Sequence, residues 1–410
     1  MADPKISIVN TLNLSQRQEF LHYARDCAER AGSSLSDFRA LLRYRDRAYQ
    51  RQLNTTAEHI KAVRANMQGD ARKLQDITVP IIMPQIESAV AYQAGIFLTS
   101  HPIFGVVSTP ENMSAAMQFE TVLGDQSVRY GWPRELLKIF RDGFKYNFAA
   151  ACVYWKKTPL KSVVTDTNIS SAGLAAIKEY SYGGNCIKRV DPYNAFMDMT
   201  VAPADLHSDG EYFGWNEVIS RVQLKRLLSL LDSDKTTSAT EAFNSSFAGS
   251  GQDETSAMSY YTPEINKYLD LSTVNIGGNN WGQWMGLSQG STSKLSYKDH
   301  YVLTHFYCRA LPSDFGSRGN QVKMYHGIII NWSTVIFVEE LNVAYDSLPC
   351  FIMQPYEDGL GYQTQSMLDN ALPFQDMSSA LWNVSLESKR RLIFDRLVYN
   401  PRLIDKKDID

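Results

Sequence analysis

Apolar residues recur at helical spacing through the first third of the chain. Residues 15–31 and 36–70 are polar stretches, the second carrying Phe38, Leu41, Leu42, Tyr49, Leu53, Ile60 and Val63. This spacing predicts two helices, with Ser36 as N-cap of the second. Further helices are expected over 79–98, 113–130 and 133–147. The last carries Leu136, Leu137, Ile139, Phe140 and Phe144 as an apolar stripe. The pattern then changes to short β-rich runs at 149–157, 186–199 and 211–220, with Gly183–Gly184 read as a turn. A short helix is expected over 222–231. Residues 232–299 shift towards Ser, Thr, Gly and Asn and read as an insertion. A β block follows at 300–311, 321–331, 333–341 and 348–357. A long helical pattern then covers 362–398, with Met367, Leu368, Ala371, Leu372, Met377, Leu381 and Val384 as apolar positions. Pro373 is expected to kink or divide this helix. The class is α+β.

Composition narrows the function classes. The 410 residues carry 41 Lys+Arg against 44 Asp+Glu, a net charge of −3, with 44% hydrophobic and 21% charged residues. A disordered chain would be less apolar and more charged. A protein that grips DNA by bulk positive charge would be strongly basic. Length suggests two or three domains, or one domain with large insertions. Cys27, Cys152, Cys186, Cys308 and Cys350 form no CxxC pair and fit a reducing compartment. The N-terminus has no signal-peptide pattern. The most apolar segment, 79–98, contains Pro80, Pro84, Gln85, Glu87 and Gln93, so it reads as a buried or interface helix of a soluble protein, not a membrane span.

Motifs for chemistry are sparse. No phosphate-binding loop, dinucleotide fingerprint or HExxH is present. Ser288 centres a GxSxG, but in the low-complexity insertion it reads as loop. Asp205, His207 and Asp209 lack the ligand spacing of a calcium loop and read as a surface turn. His300, His305, Cys308 and His326 fall on adjacent strands, with His305 and Cys308 on opposite faces, and read as structural. The one basic cluster is Lys389, Arg390 and Arg391, with Arg396 nearby. No cofactor or metal is expected.

The order of features resembles the portal proteins of tailed bacteriophages, the head–tail connectors, and most of all those of podophages. The parts that carry the resemblance are VPIIMPQIESAVAYQAGIF, then RELLKIFRDGFKYNFAAACVYWKK, where a helix runs into a strand, then KRVDPYNAFMDM with HSDGEYFGWNEVIS. YVLTHFYCRALP, FVEEL and the long run from LPCFIMQPYEDGLGYQTQ to SKRRLIFDR complete it. The resemblance implies a wing at 1–231, the insertion at 232–299, a clip-like β region at 300–357, a stem helix at 358–400, and at 401–410 the start of a further C-terminal wing or crown part.

It also implies a non-enzymatic subunit of a twelve-membered ring at one capsid vertex, located in the virion and, during assembly, in the host cytoplasm. Implied partners are the terminase large subunit, capsid and tail adaptor proteins, and double-stranded DNA passing non-specifically through the channel. A near-neutral chain suits passage, because a basic tunnel would hold the duplex by counterion release. If the stem helix lines the channel, Lys389, Arg390, Arg391 and Arg396 are the candidates for transient phosphate contact. Two other readings stand beside this one: a different virion or tail structural protein, or an intracellular α+β enzyme with its site around the 300–326 histidines.

Overall fold

Eight residues of the first long helix are small or apolar at three- and four-residue steps, and they decide how the chain begins. A computed structural model of the protein describes residues 12, 14–50, 77–100, 102–164, 176–220, 222–224, 227, 300–316, 319–332, 334–341, 347–357, 359, 361–362 and 364–393. In it, α1 runs unbroken over Leu14–Tyr49. The expected break and the Ser36 N-cap are not found. Phe20, Ala24, Cys27, Ala28, Ala31, Leu35, Phe38 and Leu42 are all buried in one cluster on both sides of Gly32–Ser34. Gly and Ser in a helix interior cost under about 1 kcal/mol each, whereas burying each large apolar side chain contributes about 1.5–3 kcal/mol. The helix therefore continues. Residues 51–70 lie outside the described residues.

After α1 come α2 (Ile82–Phe97), α3 (Met113–Arg129) and α4 (Trp132–Tyr146). Strand β1 (Ala149–Val164) pairs antiparallel with β2 (Ala176–Val190). Gly183 and Gly184 lie inside β2 and make no turn. A Cβ on Gly184 would meet the Tyr130 ring at 2.5 Å and one on Gly183 the Trp155 ring at 2.8 Å, so these glycines make room for aromatics. Next come β3 (Ala195–Met197), the one-turn α5 (Leu206–Asp209), β4 (Tyr212–Ser220), β5 (His300–Ala310), β6 (Lys323–Ile330), β7 (Thr334–Glu340) and β8 (Cys350–Met353). The last helix, α6, covers Met367–Ile393 with Pro373 inside it, undivided.

Among the described residues the strands form two antiparallel sheets, ordered β2-β1-β8 and β3-β4-β5-β6-β7. Strands from either side of the 232–299 insertion share both sheets. Nine consecutive residues of β4 pair with β5, from Tyr212↔Cys308 to Ser220↔His300. The parts 149–220 and 300–353, read apart in the sequence, are therefore joined directly. Helix α1 lies on one face of the five-stranded sheet. Its Phe20 sits where a Cβ on Gly327 would come within 2.3 Å of the ring, and it packs edge-on to Phe306 and Phe315.

Helix α6 uses its two sides differently. Leu368, Ala371 and Leu372 pack with Ile82, Ile86, Val90 and Phe140. On the same side, Gln375, Ser379 and Asn383 follow at four-residue steps and hold the backbone that leads into α2. Gln375 Oε1 accepts from the amides of Ile81 and Ile82 at 3.1 and 3.2 Å, Ser379 Oγ from Val79 at 3.0 Å, and Asn383 Oδ1 from Ile77 at 3.0 Å. Gln375 thus supplies from another helix the side-chain cap that the start of α2 lacks locally.

A charged junction ties α1 to α4 and α6. Arg45 is 1% exposed and Asp46 is fully buried. The Arg45 guanidinium donates to Asp369 Oδ2 at 2.6 and 3.0 Å, to the Tyr146 carbonyl at 2.5 Å and to the Thr364 carbonyl at 2.6 Å. Asp46 accepts from the Tyr146 hydroxyl at 2.6 Å and also from Tyr193, and it pairs with Lys145. The described cysteines Cys27, Cys152, Cys186, Cys308 and Cys350 are buried free thiols.

Candidate functional site

The face of the five-stranded sheet turned away from α1 carries a row of polar and aromatic side chains that line one cleft. Its strands are in register so that Trp215 faces His305 and Tyr307 faces His326 across β4, β5 and β6, and His326 faces Glu339 on β7. Period-two alternation puts Trp215 and Glu217, His305 and Tyr307, His326, and Glu339 on one side. They wall a cleft of about 800 Å³ whose other lining includes Tyr154, Trp155 and Lys188.

Four of these side chains stand in a line, one per strand. Glu217 Oε1 lies 3.3 Å from His305 Nε2, His305 Nδ1 lies 3.5 Å from His326 Nε2, and His326 Nδ1 lies 3.2 Å from Glu339 Oε1. The two imidazole planes are within 6° of parallel. Trp215 stacks on His305 at 4.8 Å and Tyr307 on His326 at 4.3 Å, which fixes both rings. Lys188, from the other sheet, pairs with Glu217 and so links the two sheets. The nitrogens are used in series and do not converge on one point; among the described residues no group of three His, Cys, Asp or Glu is placed to hold a metal ion.

The environment sets the charges. Burial alone would raise the Glu217 carboxyl, but the hydrogen bond from His305 and the charge of Lys188 outweigh it and hold it at about 2. Burial lowers His305 below the ordinary imidazole value, with the Glu217 hydrogen bond pulling the other way. Because the Glu217 value is depressed by folding, its contribution is complete above the ordinary carboxyl value of 4.5 and is lost as pH falls through about 2. The upper bound of that contribution is about 3 kcal/mol. Glu217→Gln is therefore expected to lower the thermal midpoint at pH 7, and the gap to wild type to shrink steadily below about pH 4.5 in melts followed by circular dichroism. A gap independent of pH would show that the ion pair is not its source.

Of the residues singled out in the sequence, His305 and His326 come together. Cys308 is on the opposite face, in the α1 core, as strand alternation requires. His300 opens β5, opposite Ser220, at the far end of the strand from this line. Asp205, His207 and Asp209 form a turn in which His207 Nδ1 meets the Ala204 carbonyl at 2.9 Å. Glu217, Glu339, Lys188 and Trp215 were missed. The alternation of Trp215 and Glu217 carries a signal for two of them, but the partner strand that gives it meaning is about 90 residues away. Ser288 lies outside the described residues.

A second candidate surface is apolar. On α6, Phe374, Met377, Leu381 and Val384 are 68, 65, 60 and 62% exposed, with Trp382 at 56%. Steps of 3, 4 and 3 residues make them a seam of the kind that packs against another helix. At about 100° per residue, the seam lies about 180° from the Gln375–Ser379–Asn383 rail. Met377, Leu381 and Val384, apolar positions of the expected helix, thus point outward. Helices α2 and α3 expose Tyr92, Ile96, Phe97, Met113, Met117 and Phe119 as well. Lys389 is exposed near the end of α6, and Arg390 and Arg391 follow it in the helix. Arg396 lies outside the described residues. No described helix is long and apolar enough to cross a membrane. The fold is α+β, and comparison of the chain finds no matching family model and no matching curated protein.

Proposed function

We propose that the chain is a ring-forming structural subunit of the portal type, a conduit for double-stranded DNA at a capsid vertex that carries out no catalysis. The observation that supports this reading best is the exposed seam of α6. A helix anchored to its own chain by one side presents four large apolar residues at coiled-coil spacing on the other. Such a face in water is a binding surface, and a closed ring needs each subunit to present two different complementary faces. The exposed apolar residues of α2 and α3 offer material for the second face. In this reading terminase, capsid and tail adaptor proteins dock on the ring, and Lys389, Arg390, Arg391 and Arg396 make brief phosphate contacts.

Mass photometry and negative-stain imaging of the purified protein test the proposal. The expected result is a closed ring, near twelve copies, with a central hole of about 20 Å or more, set by the width of a duplex. A protein that stays monomeric at all concentrations overturns it. The paired histidines and carboxylates of the cleft favour a second reading, an acid–base enzyme, and a monomer with a measurable turnover would be its signature.

A further inference from the structure

We propose that the line Glu217–His305–His326–Glu339 is a binding site for one proton, held in the gap between the two imidazoles. The argument is a count of hydrogen atoms. The line has three gaps, of 3.3, 3.5 and 3.2 Å, and each needs one hydrogen to become a hydrogen bond. Ionised carboxylates only accept. The outer gaps therefore draw the N–H of His305 to Nε2 and that of His326 to Nδ1. Two neutral rings carry one N–H each, and both are then spent on the carboxylates. The middle gap is left with two lone pairs facing each other, and it is the longest of the three. One added proton completes the line, and a second would place two N–H groups against each other.

Charge agrees with the count. Glu217 and Glu339 with Lys188 sum to −1, and one proton brings the cluster to zero. The other ionisable groups that face the line are Tyr154 on β1, Tyr307 on β5 and the thiols of Cys152 and Cys350 beside Tyr307. Burial pushes Tyr154 up to about 12 and raises Tyr307 and Cys350, so these remain neutral spectators. Lys188 already sits against Glu217 at the His305 end of the line, so the added proton resides on His326 Nε2, at the end nearer Glu339, and is donated to His305 Nδ1. Imidazoles take up protons between about pH 5 and 8. When the proton is taken up, the wall of the cleft changes from a net negative charge to none, and the ties between β4, β5, β6 and β7 become complete.

The test is nitrogen NMR of the full chain with 15N-labelled histidine, which separates the two neutral tautomers from the imidazolium. At about pH 8, both rings are expected to be neutral, with the hydrogen on Nε2 of His305 and on Nδ1 of His326. At about pH 6, His326 is expected to be doubly protonated and His305 unchanged. His326→Asn assigns the signals. Glu339→Gln gives the sharper readout. Its amide can donate to His326 Nδ1, so His326 can move its single hydrogen to Nε2 and close the middle gap with no added proton. In that variant His326 is expected to stay neutral at about pH 6, as the Nε2–H tautomer. The Glu339 side chain is 35% exposed, so the substitution leaves the core untouched, and circular dichroism checks the fold. An imidazolium on His305, a neutral His326 at pH 6 in the wild type, or equal protonation of His326 in Glu339→Gln would each overturn the proposal.

Discussion

Replacing Arg45 by alanine is expected to destabilise the chain by about 3–5 kcal/mol, the range for removing one partner of a buried ion pair. The guanidinium serves three acceptors at once: Asp369 and the carbonyls of Tyr146 and Thr364. The two carbonyls would lose this donor, and Asp369 would lose its ion-pair partner and keep only its bonds from Ser366, in a junction where three helices meet. A domain has only about 5–15 kcal/mol of net stability, so the loss is a large part of it. Urea unfolding should show a lower midpoint with an unchanged slope. Arg45→Lys should recover little, because an ammonium cannot reproduce the planar fork that reaches opposite groups. A loss under about 1 kcal/mol in the alanine variant would place the guanidinium in water and contradict the geometry.

The second large effect is on assembly. Leu381→Glu together with Val384→Glu puts two like charges into the α6 seam. Both positions are at least 60% exposed in the single chain, so its own stability should change by no more than about 0.5 kcal/mol. Self-association should weaken at least tenfold per substitution, about 1.4 kcal/mol each. Mass photometry should then show the ring replaced by a folded monomer with the wild-type melting midpoint. Rings of unchanged stability would remove the seam from the interface. A lower melting midpoint of the monomer would mean that the seam packs within its own chain. The pair of measurements separates an interface residue from a core residue, which the sequence pattern alone did not do.

That difficulty is general in this chain. Helical spacing in 367–384 identified α6 and its apolar positions, but two apolar sides are interleaved there. Leu368, Ala371 and Leu372 face inward while Phe374, Met377, Leu381 and Val384 face outward, and periodicity gives no sign of which side has a neighbour. Pro373 predicts a kink or a division of this helix. Near the start of the helix it removes one amide, and the Gln375, Ser379 and Asn383 contacts that follow it hold the helix in one piece. The spacing predicts an end to the first helix at 31, yet α1 continues for a similar reason: buried residues on both sides of Gly32–Ser34 outweigh a weak local propensity. Gly183–Gly184 predicts a turn, yet inside β2 these glycines are space beneath Trp155 and Tyr130.

The amino-acid sequence by itself determined the α+β class, the approximate placing of most described helices and strands, and the opposite facing of His305 and Cys308. These follow from local periods of 3.6 and 2, which a chain carries within a few residues. Tertiary structure alone decided that β4 pairs with β5 across the insertion, that Arg45 and Asp46 meet partners 99 residues or more away, and that two histidines lie between two carboxylates in a line of four strands. Those facts depend on strand register and on helix facing. Both are set by long-range burial, where one residue of slip would turn every side chain of a strand to the other face.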